Sequence, residues 1–195
     1  SITNGVGKPG VVLYAQKFDE STAGRATGSS HRSYTIARGL IIPRRLEVGH
    51  QQNAQLDYEI HVIYDGANTP VVEAATVALP TLSGDDTRFT LGTTQVGNVA
   101  LTGVQNMTVD FGPNVELEGG DSDIWPTQVS VKSWDMSIAL TGKDASWLGS
   151  SAIPLAGLAC THANTELFLR KRAQAGSHFV ANGTSEHIKI TADGI

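Results

Sequence analysis

The chain has 195 residues, of which 40% are hydrophobic and 17% are charged, and its formal net charge is −5 at pH 7. This acidic excess argues against a generic nucleic-acid binder, which carries a basic surface. It allows a protein that lets nucleic acid pass without binding it tightly. No apolar run approaches the roughly 20 residues of a membrane-spanning helix. The length predicts one domain over residues 1–195, and the low charge with 21 glycines favours an all-β fold.

Two irregular segments precede the main run of predicted strands. Three glycines and a proline within residues 5–10 predict an extended N-terminal arm that leads into a strand at residues 11–14. Residues 19–32 are polar and rich in Gly, Ser and Thr, which predicts a long loop. The loop is basic, with Arg25, His31 and Arg32. It is either solvated or ordered against an acidic neighbouring subunit.

Alternating apolar and polar residues predict strands along the rest of the chain. The clearest example, residues 56–64, places Leu56, Tyr58 and Ile60 on one face, which we expect to be half-buried. Gly142–Gly149 contains an Asp cap and a Gly stop, so it predicts one short helix. The other predicted elements are residues 33–48 with an interruption near Pro43, 71–79 as a strand or a short helix, 88–91, 165–170 and 187–191.

The longest predicted feature is a hairpin that runs from Thr108 to Leu140. Its first strand places Met107 and Val109 on a dry face and Asp110 on a wet face, and it is interrupted at Gly112-Pro113. Its second strand alternates from Val129 onward. The Gly-Gly-Asp-Ser-Asp cluster at residues 119–123 predicts the turn between them.

The wet face of this hairpin is predicted to be acidic. Residues 89–131 contain no Lys or Arg. The acidic residues of that stretch, which are the candidates for a functional face, are Asp110, Glu116, Glu118, Asp121 and Asp123. The simpler alternative is that they form an ordinary solvated sheet surface.

No reaction centre is recognisable in the sequence. The six histidines lack metal-ligand spacing, and Asp121 and Asp123 lack the rest of a calcium loop. The single cysteine, Cys160, lies in an apolar run that predicts a buried thiol. Trp125 is the only indole near the hairpin tip outside the predicted strands, which argues against a sugar-stacking cleft. We therefore expect no catalytic residue, no cofactor and no metal.

A hairpin of this length is predicted to find partners in other copies of the chain. Two strands alone are unstable in water, and an exposed edge invites pairing. Identical hairpins paired around a ring would close those edges and turn the polar face toward a lumen. A lumen lined by Asp and Glu repels a phosphate backbone, so DNA could slide through it. The candidate contacts between subunits are Arg25, Arg32, Arg44, Arg45, Trp125, Arg170, Lys171 and Arg172.

The central third of the chain resembles phage tail tube proteins of the siphophage type. The residues that carry the resemblance are Leu101–Gly112, Asp123–Thr127 and Leu140–Asp144. It implies an all-β fold, a β-sandwich or partly closed barrel with a long hairpin and one short helix. It also implies rings, commonly hexameric, that stack into a tube conducting the genome. Asp110, Glu116 and Glu118 would then face the lumen, and residues 19–32 would form an inter-ring loop.

The resemblance also implies partners and a location. The partners would be copies of the chain itself, other virion proteins, and DNA that passes without sequence-specific binding, with no membrane involved. The protein would lie in the virion tail after assembly in the host cytoplasm. Two alternatives remain: a capsid-decorating or head–tail joining protein, and a carbohydrate-binding β-sandwich, which would need a cluster of surface aromatics or a bound calcium.

Overall fold

The structure, a computed structural model, describes residues 10–16, 31–80, 88–96, 99–147, 164–171 and 187–193. Regular structure in these ranges consists entirely of strands, which confirms the all-β prediction. Residues 5–9 of the predicted arm, residues 19–30 of the predicted loop, Cys160 and Arg172 lie outside them. The strands are β1 (Val11–Ala15), β2 (His31–Ile36), β3 (Gly39–Gly49), β4 (Gln55–Val62), β5 (Val72–Val77), β6 (Phe89–Val96), β7 (Val99–Leu101), β8 (Val104–Asp110), β9 (Pro113–Glu118), β10 (Gln128–Trp134), β11 (Ser137–Gly142), β12 (Asn164–Lys171) and β13 (Ile188–Asp193).

The described strands form four open sheets. Their orders are β1–β2–β5, β10–β9, β11–β8–β3–β4 and β13–β12–β6–β7. Pairing is antiparallel, as in the register of β1 with β2 and of β12 with both β6 and β13. Sheets with free edges, and a core between two of them, agree with the sandwich alternative of the predicted fold class.

The chain divides into two compact units. The first comprises the described parts of Ser1–Pro43, Tyr58–Gly84 and Gly112–Asp135, and the second those of Arg44–Asp57, Asp85–Phe111 and Met136–Ile195. The first unit contains the sheet β1–β2–β5 and the pair β9–β10. The second contains β8, β11 and the sheet β13–β12–β6–β7, while β3 and β4 contribute residues to both. The expectation of a single domain stays a prediction.

The core of the second unit lies between two sheets. Met107 and Val109 of β8 and Leu167 of β12 are fully buried. Because alternate residues of a strand point to opposite faces, the period-two patterns at 107–111 and 165–170 place these side chains on inward faces, as predicted. They belong to one cluster with Leu46, Val48, Leu91 and Leu169.

The predicted strand at residues 56–64 is confirmed as β4, which ends at Val62. Ile60 and Val62 of its apolar face are half-buried as expected, but the two residues at the start of that face are exposed. Leu56 is 53% exposed and Tyr58 is 58% exposed. Among the strands that the structure describes, β4 is the last of its sheet and has only β3 as a neighbour. The alternating pattern identifies a strand, but burial of its apolar face also requires a layer that covers it.

Strand β2 begins at His31, so the last two residues of the predicted loop belong to a strand. His31 is buried rather than part of a solvated basic segment. Arg32 pairs with Glu73 of the neighbouring strand β5, with 2.7 Å between Nη1 and Oε1. Residues 71–79, predicted as a strand or a short helix, contain strand β5.

The prediction of a short helix at Gly142–Gly149 is wrong for its described part. Gly142 ends β11, and residues 143–147 form a bend and a turn, while Leu148 and Gly149 lie outside the described residues. Asp144 accepts hydrogen bonds from the amide of Ser146 at 2.9 Å and from the hydroxyl of Thr102 at 2.6 Å. The carboxylate thus caps a turn and ties it to the β7–β8 connection. No helix in the described ranges is long and apolar enough to cross a membrane.

This carboxylate predicts a pH-dependent contribution to stability. Hydrogen bonds from Ser146 and then from Thr102 lower the pKa of Asp144 from 3.8 to about 2. A lowered pKa stabilises the folded state above pH 3.8, and that contribution is lost as the pH falls toward 2. We expect Asp144→Asn to lower the melting temperature at pH 6, and the difference from the parent chain to shrink by pH 2. Thermal melts at both pH values check this, and a difference that stays constant would contradict it.

Candidate functional site: the acidic hairpin

The long hairpin predicted from the sequence is present. β8 pairs antiparallel with β11, and β9 pairs antiparallel with β10. β9 follows β8 after a break at residues 111–112, and β11 follows β10 after a break at residues 135–136. β8 also pairs with β3 on its other side, whereas β9 and β10 pair with each other alone among the described strands. We call β9 and β10 the ribbon.

The break at Gly112-Pro113 has a local cause. Gly112 adopts a positive φ of 49°, which side chains other than glycine rarely accept. The amide of Asp135 donates a hydrogen bond to the carbonyl oxygen of Gly112 at 3.0 Å. A Cβ atom at position 112 would lie 2.1 Å from the carbonyl oxygen of Asp135. Glycine is therefore required at the base of the ribbon both by conformation and by the close approach of the opposite strand.

The ribbon has one apolar face and one polar face. Val115 lies opposite Val131, and Leu117 lies opposite Val129. Val129 is buried, whereas Leu117 is 45% exposed, so the apolar face is only partly covered. On the polar face the register places Glu116 opposite Ser130 and Glu118 opposite Gln128. The predicted alternation of the two faces is thus confirmed for the ribbon.

The polar face also carries a cation. Lys132 lies at a register shift between Val131 and Ser133, and its Nζ is 2.6 Å from Glu116 Oε2 and 3.5 Å from Glu118 Oε1. The hydrogen bond and charge of Glu116, followed by the charge of Glu118, raise the pKa of Lys132. The pairs are exposed and screened by salt, so they add little to stability. The three side chains together carry a charge of −1 at neutral pH, because one of the two carboxylate charges is offset.

Sequence reasoning missed Lys132 because it stands directly after the cation-free stretch, which ends at Val131. The signal was nevertheless present. Lys132 follows Ser130 by two residues, and residues two apart on a strand share a face. The strand-to-strand register, which places Ser130 opposite Glu116, then brings the lysine to both glutamates.

The tip loop of the hairpin is closed by Asp123. Its amide donates to the carbonyl oxygen of Gly120 at 3.0 Å, and its Oδ2 accepts from the amide of Gly120 at 2.6 Å. Asp121 is exposed on the same loop. The next two residues are apolar yet exposed, Ile124 at 86% and Trp125 at 47%. Asp123 thus stabilises the turn of the tip loop, independently of any contact with a partner.

The fifth acidic candidate, Asp110, lies apart from these in the chain. It is an exposed residue at the end of β8, and its register partners are Ser137 on β11 and Arg45 on β3. The structure thus brings Glu116 and Glu118 together around Lys132 and places Asp110 in a different compact unit.

The predicted contact cations are found on several strands. Arg44 and Arg45 lie on β3, and Arg170 and Lys171 end β12. Arg45 already holds Glu47 at 3.1 Å, just as Arg32 holds Glu73, while Arg25 lies outside the described residues. Their roles between subunits stay predictions.

Two further kinds of observation, metal-site geometry and similarity to known proteins, do not indicate a function for this hairpin. Among the described residues, no group of three or more His, Cys, Asp or Glu side chains is arranged to hold a metal ion. Comparisons of the chain with protein-family models, with curated proteins and with solved structures found no match.

Proposed function

We propose that the chain is a structural protein whose copies form rings, and that these rings stack into a tail tube through which phage DNA passes. The observation that carries the proposal is the pairing of the ribbon. β9 and β10 pair with no third strand within the described ranges, so no described strand covers either edge of the ribbon. Two strands alone are marginally stable in water, and open edges are templates for further strands.

Identical ribbons supply the partner that such edges require. A ring of copies joins one edge of each ribbon to the opposite edge of the next, and closure leaves no edge free. The partly covered apolar face, which includes the exposed Leu117, would be buried further by the same assembly. The ring number is expected to be six, following the family that the central third resembles.

The polar face of the ribbon then lines the passage. Glu116 and Glu118 outnumber Lys132, so each copy contributes a net negative charge at this level of the lumen. Negative charge disfavours close contact with phosphates, and the lysine, held between two carboxylates, is not available as an isolated phosphate ligand. DNA would thus move past the wall with little binding.

Electron microscopy of the purified full chain tests assembly. Stacked rings or tubes are the expected result. Discrete single rings or trimers would support the decorating or head–tail joining alternative instead. A monodisperse monomer at micromolar concentration would contradict the proposal.

A charge reversal tests the lumen. We expect the double variant Glu116→Lys, Glu118→Lys to assemble as the parent does, but to retain double-stranded DNA in a salt-dependent way in a co-sedimentation assay. The matched control is Asp57→Lys, Glu59→Lys, which makes the same charge change at the same spacing on exposed β4. Equal DNA retention by the two variants would place the DNA outside the ribbon's polar face.

A further inference from the structure

A cavity of about 370 Å³ lies at the tip of the hairpin, inside the first unit. One wall is the loop after β4, with Tyr64 and Asn68, and the other is the tip loop from Ser122 to Trp125. The amide of Tyr64 donates to the carbonyl oxygen of Pro126 at 2.7 Å, which holds the two walls together. The volume falls within the range of small-molecule binding pockets. We call it the tip cavity.

We propose that the tip cavity binds a neutral glycan, with one sugar ring stacked on Trp125. This inference does not depend on the proposed tube, because it concerns the surface of the single chain. The sequence argued against such a cleft because Trp125 had no aromatic neighbour nearby in the chain. The fold supplies one, since Tyr64 precedes it by some sixty positions and yet lines the same cavity.

The aromatic part of the site is accessible. Trp125 is 47% exposed, and Tyr64 is half-buried. An exposed indole presents a broad apolar face with a negative quadrupole, and the C–H groups of a pyranose ring are complementary to it. Ile124 lines the same cavity and is 86% exposed, so it extends the apolar surface beside the indole.

The polar part of the site supplies acceptors for hydroxyl groups. Asn68 donates its side-chain amide to Asp65 Oδ2 at 3.2 Å, and within the described chain its own Oδ1 accepts from no group. Asp123 uses Oδ2 to close the tip turn, and no described donor reaches its Oδ1. Asp65 also fixes the opposite loop by accepting from the amides of Ala67 and Asn68, each at 2.8 Å. These hydrogen bonds therefore hold both walls of the tip cavity in place. The Oδ1 atoms of Asn68 and Asp123 can still accept hydrogen bonds from a ligand.

This composition selects among ligand classes. Of the residues that the structure describes, no Lys or Arg lines the tip cavity while Asp123 does, so phosphates and other anions are disfavoured. A proline-rich peptide would stack on the aromatics, but its backbone offers carbonyl acceptors and few donors, which would leave Asn68 and Asp123 unsatisfied. A neutral sugar offers an apolar ring face and several hydroxyl donors at once. It is the class that satisfies both halves of the site.

Binding of defined oligosaccharides to the purified full chain tests the inference. The probes are cellohexaose, maltohexaose and chitohexaose, and the measurements are saturation-transfer NMR and titration calorimetry. We expect at least one hexasaccharide to bind saturably, and Trp125→Ala to weaken its binding by roughly tenfold or more. The matched control is Trp134→Ala, because Trp134 is 54% exposed on the same hairpin but does not line the cavity. That variant should bind as the parent does.

Two further variants keep the test sharp if Trp125→Ala disturbs the loop. Trp125→Phe retains a stacking face and should recover part of the affinity, while Tyr64→Leu should lose it although its circular dichroism matches that of the parent. Absence of binding to all three hexasaccharides would overturn the inference. So would glycan binding that survives Trp125→Ala, or saturable binding of decaproline at the same site in place of sugar. Each of these results leaves the ring proposal unaffected, because ring formation is read by microscopy.

Discussion

Replacing Gly112 with alanine should destabilise the first unit by of order 2–5 kcal/mol. Two effects add. A left-handed conformation costs a residue with a Cβ about 1–2 kcal/mol, and Gly112 has a φ of +49°. In addition, the new Cβ would lie 2.1 Å from the backbone oxygen of Asp135, so the two strands at the base of the ribbon must move apart. Overpacking of this kind typically costs a further 1–3 kcal/mol or so.

Gly66→Ala is the matched control for this variant. Gly66 also has a positive φ, of 97°, and lies in the same unit, but a Cβ there would meet nothing within 4 Å. Its cost should therefore be limited to the conformational part. Urea unfolding gives both free energies, and hydrogen exchange of the ribbon amides locates the change. Equal destabilisation by the two variants would show that the contact with Asp135 does not restrict position 112.

Loss of assembly is the second consequence of Gly112→Ala under the proposed function. A ribbon whose base is displaced would present its edges in the wrong place for its neighbours. Rings should then fail to form at concentrations where Gly66→Ala still forms them. Rings of normal appearance from Gly112→Ala would indicate that the ribbon does not join the copies.

Replacing Leu167 with alanine should destabilise the second unit by about 2–5 kcal/mol. Leu167 has no exposed surface and lies in the cluster that also contains Met107 and Val109. Removing three buried carbons loses their transfer free energy and leaves a cavity that neighbouring strands fill only in part. Urea unfolding monitored by circular dichroism measures the difference.

The control for this variant is another leucine of the same unit. Leu56 is 53% exposed on the edge strand β4, so Leu56→Ala should change the free energy of unfolding by about 0.5 kcal/mol or less. A cost for Leu56→Ala comparable to that of Leu167→Ala would mean that β4 is covered in solution. Self-association through that strand would then be the first explanation to examine.

Strands were predictable from the sequence because their signal is local. Residues 107–111 and 165–170 alternate over a few positions, and the inward side chains Met107 and Leu167 are buried as that alternation requires. The turn at residues 119–123 was likewise signalled by residue types that favour turns. The same local reasoning failed at Gly142–Gly149. A cap residue there closes a single turn, since Asp144 bonds the amide of Ser146 and the hydroxyl of Thr102 instead of starting a helix.

Burial and neighbours were less accessible because they depend on residues far away in the chain. Leu56 and Tyr58 have the pattern of a half-buried strand, yet their strand lies at a sheet edge and both remain exposed. Neither Tyr64 nor Trp125 indicates a binding site when only its sequence neighbours are considered. The fold brings both residues to one cavity. The face on which Lys132 lies could have been predicted from its spacing to Ser130. Its pairing with Glu116 could not, because that depends on the register of the ribbon.

The residue pattern was enough to predict that this chain forms strands, that two of its segments make a long hairpin, and which residues alternate along it. Period-two patterning and turn composition act over a few residues, so no tertiary information is needed to recognise them. Only the folded chain shows that the ribbon pairs with no third described strand, that a lysine sits between its glutamates, and that a tyrosine lines the same cavity as its tip tryptophan. Those outcomes depend on pairing between distant segments, which is set by the packing of the whole fold.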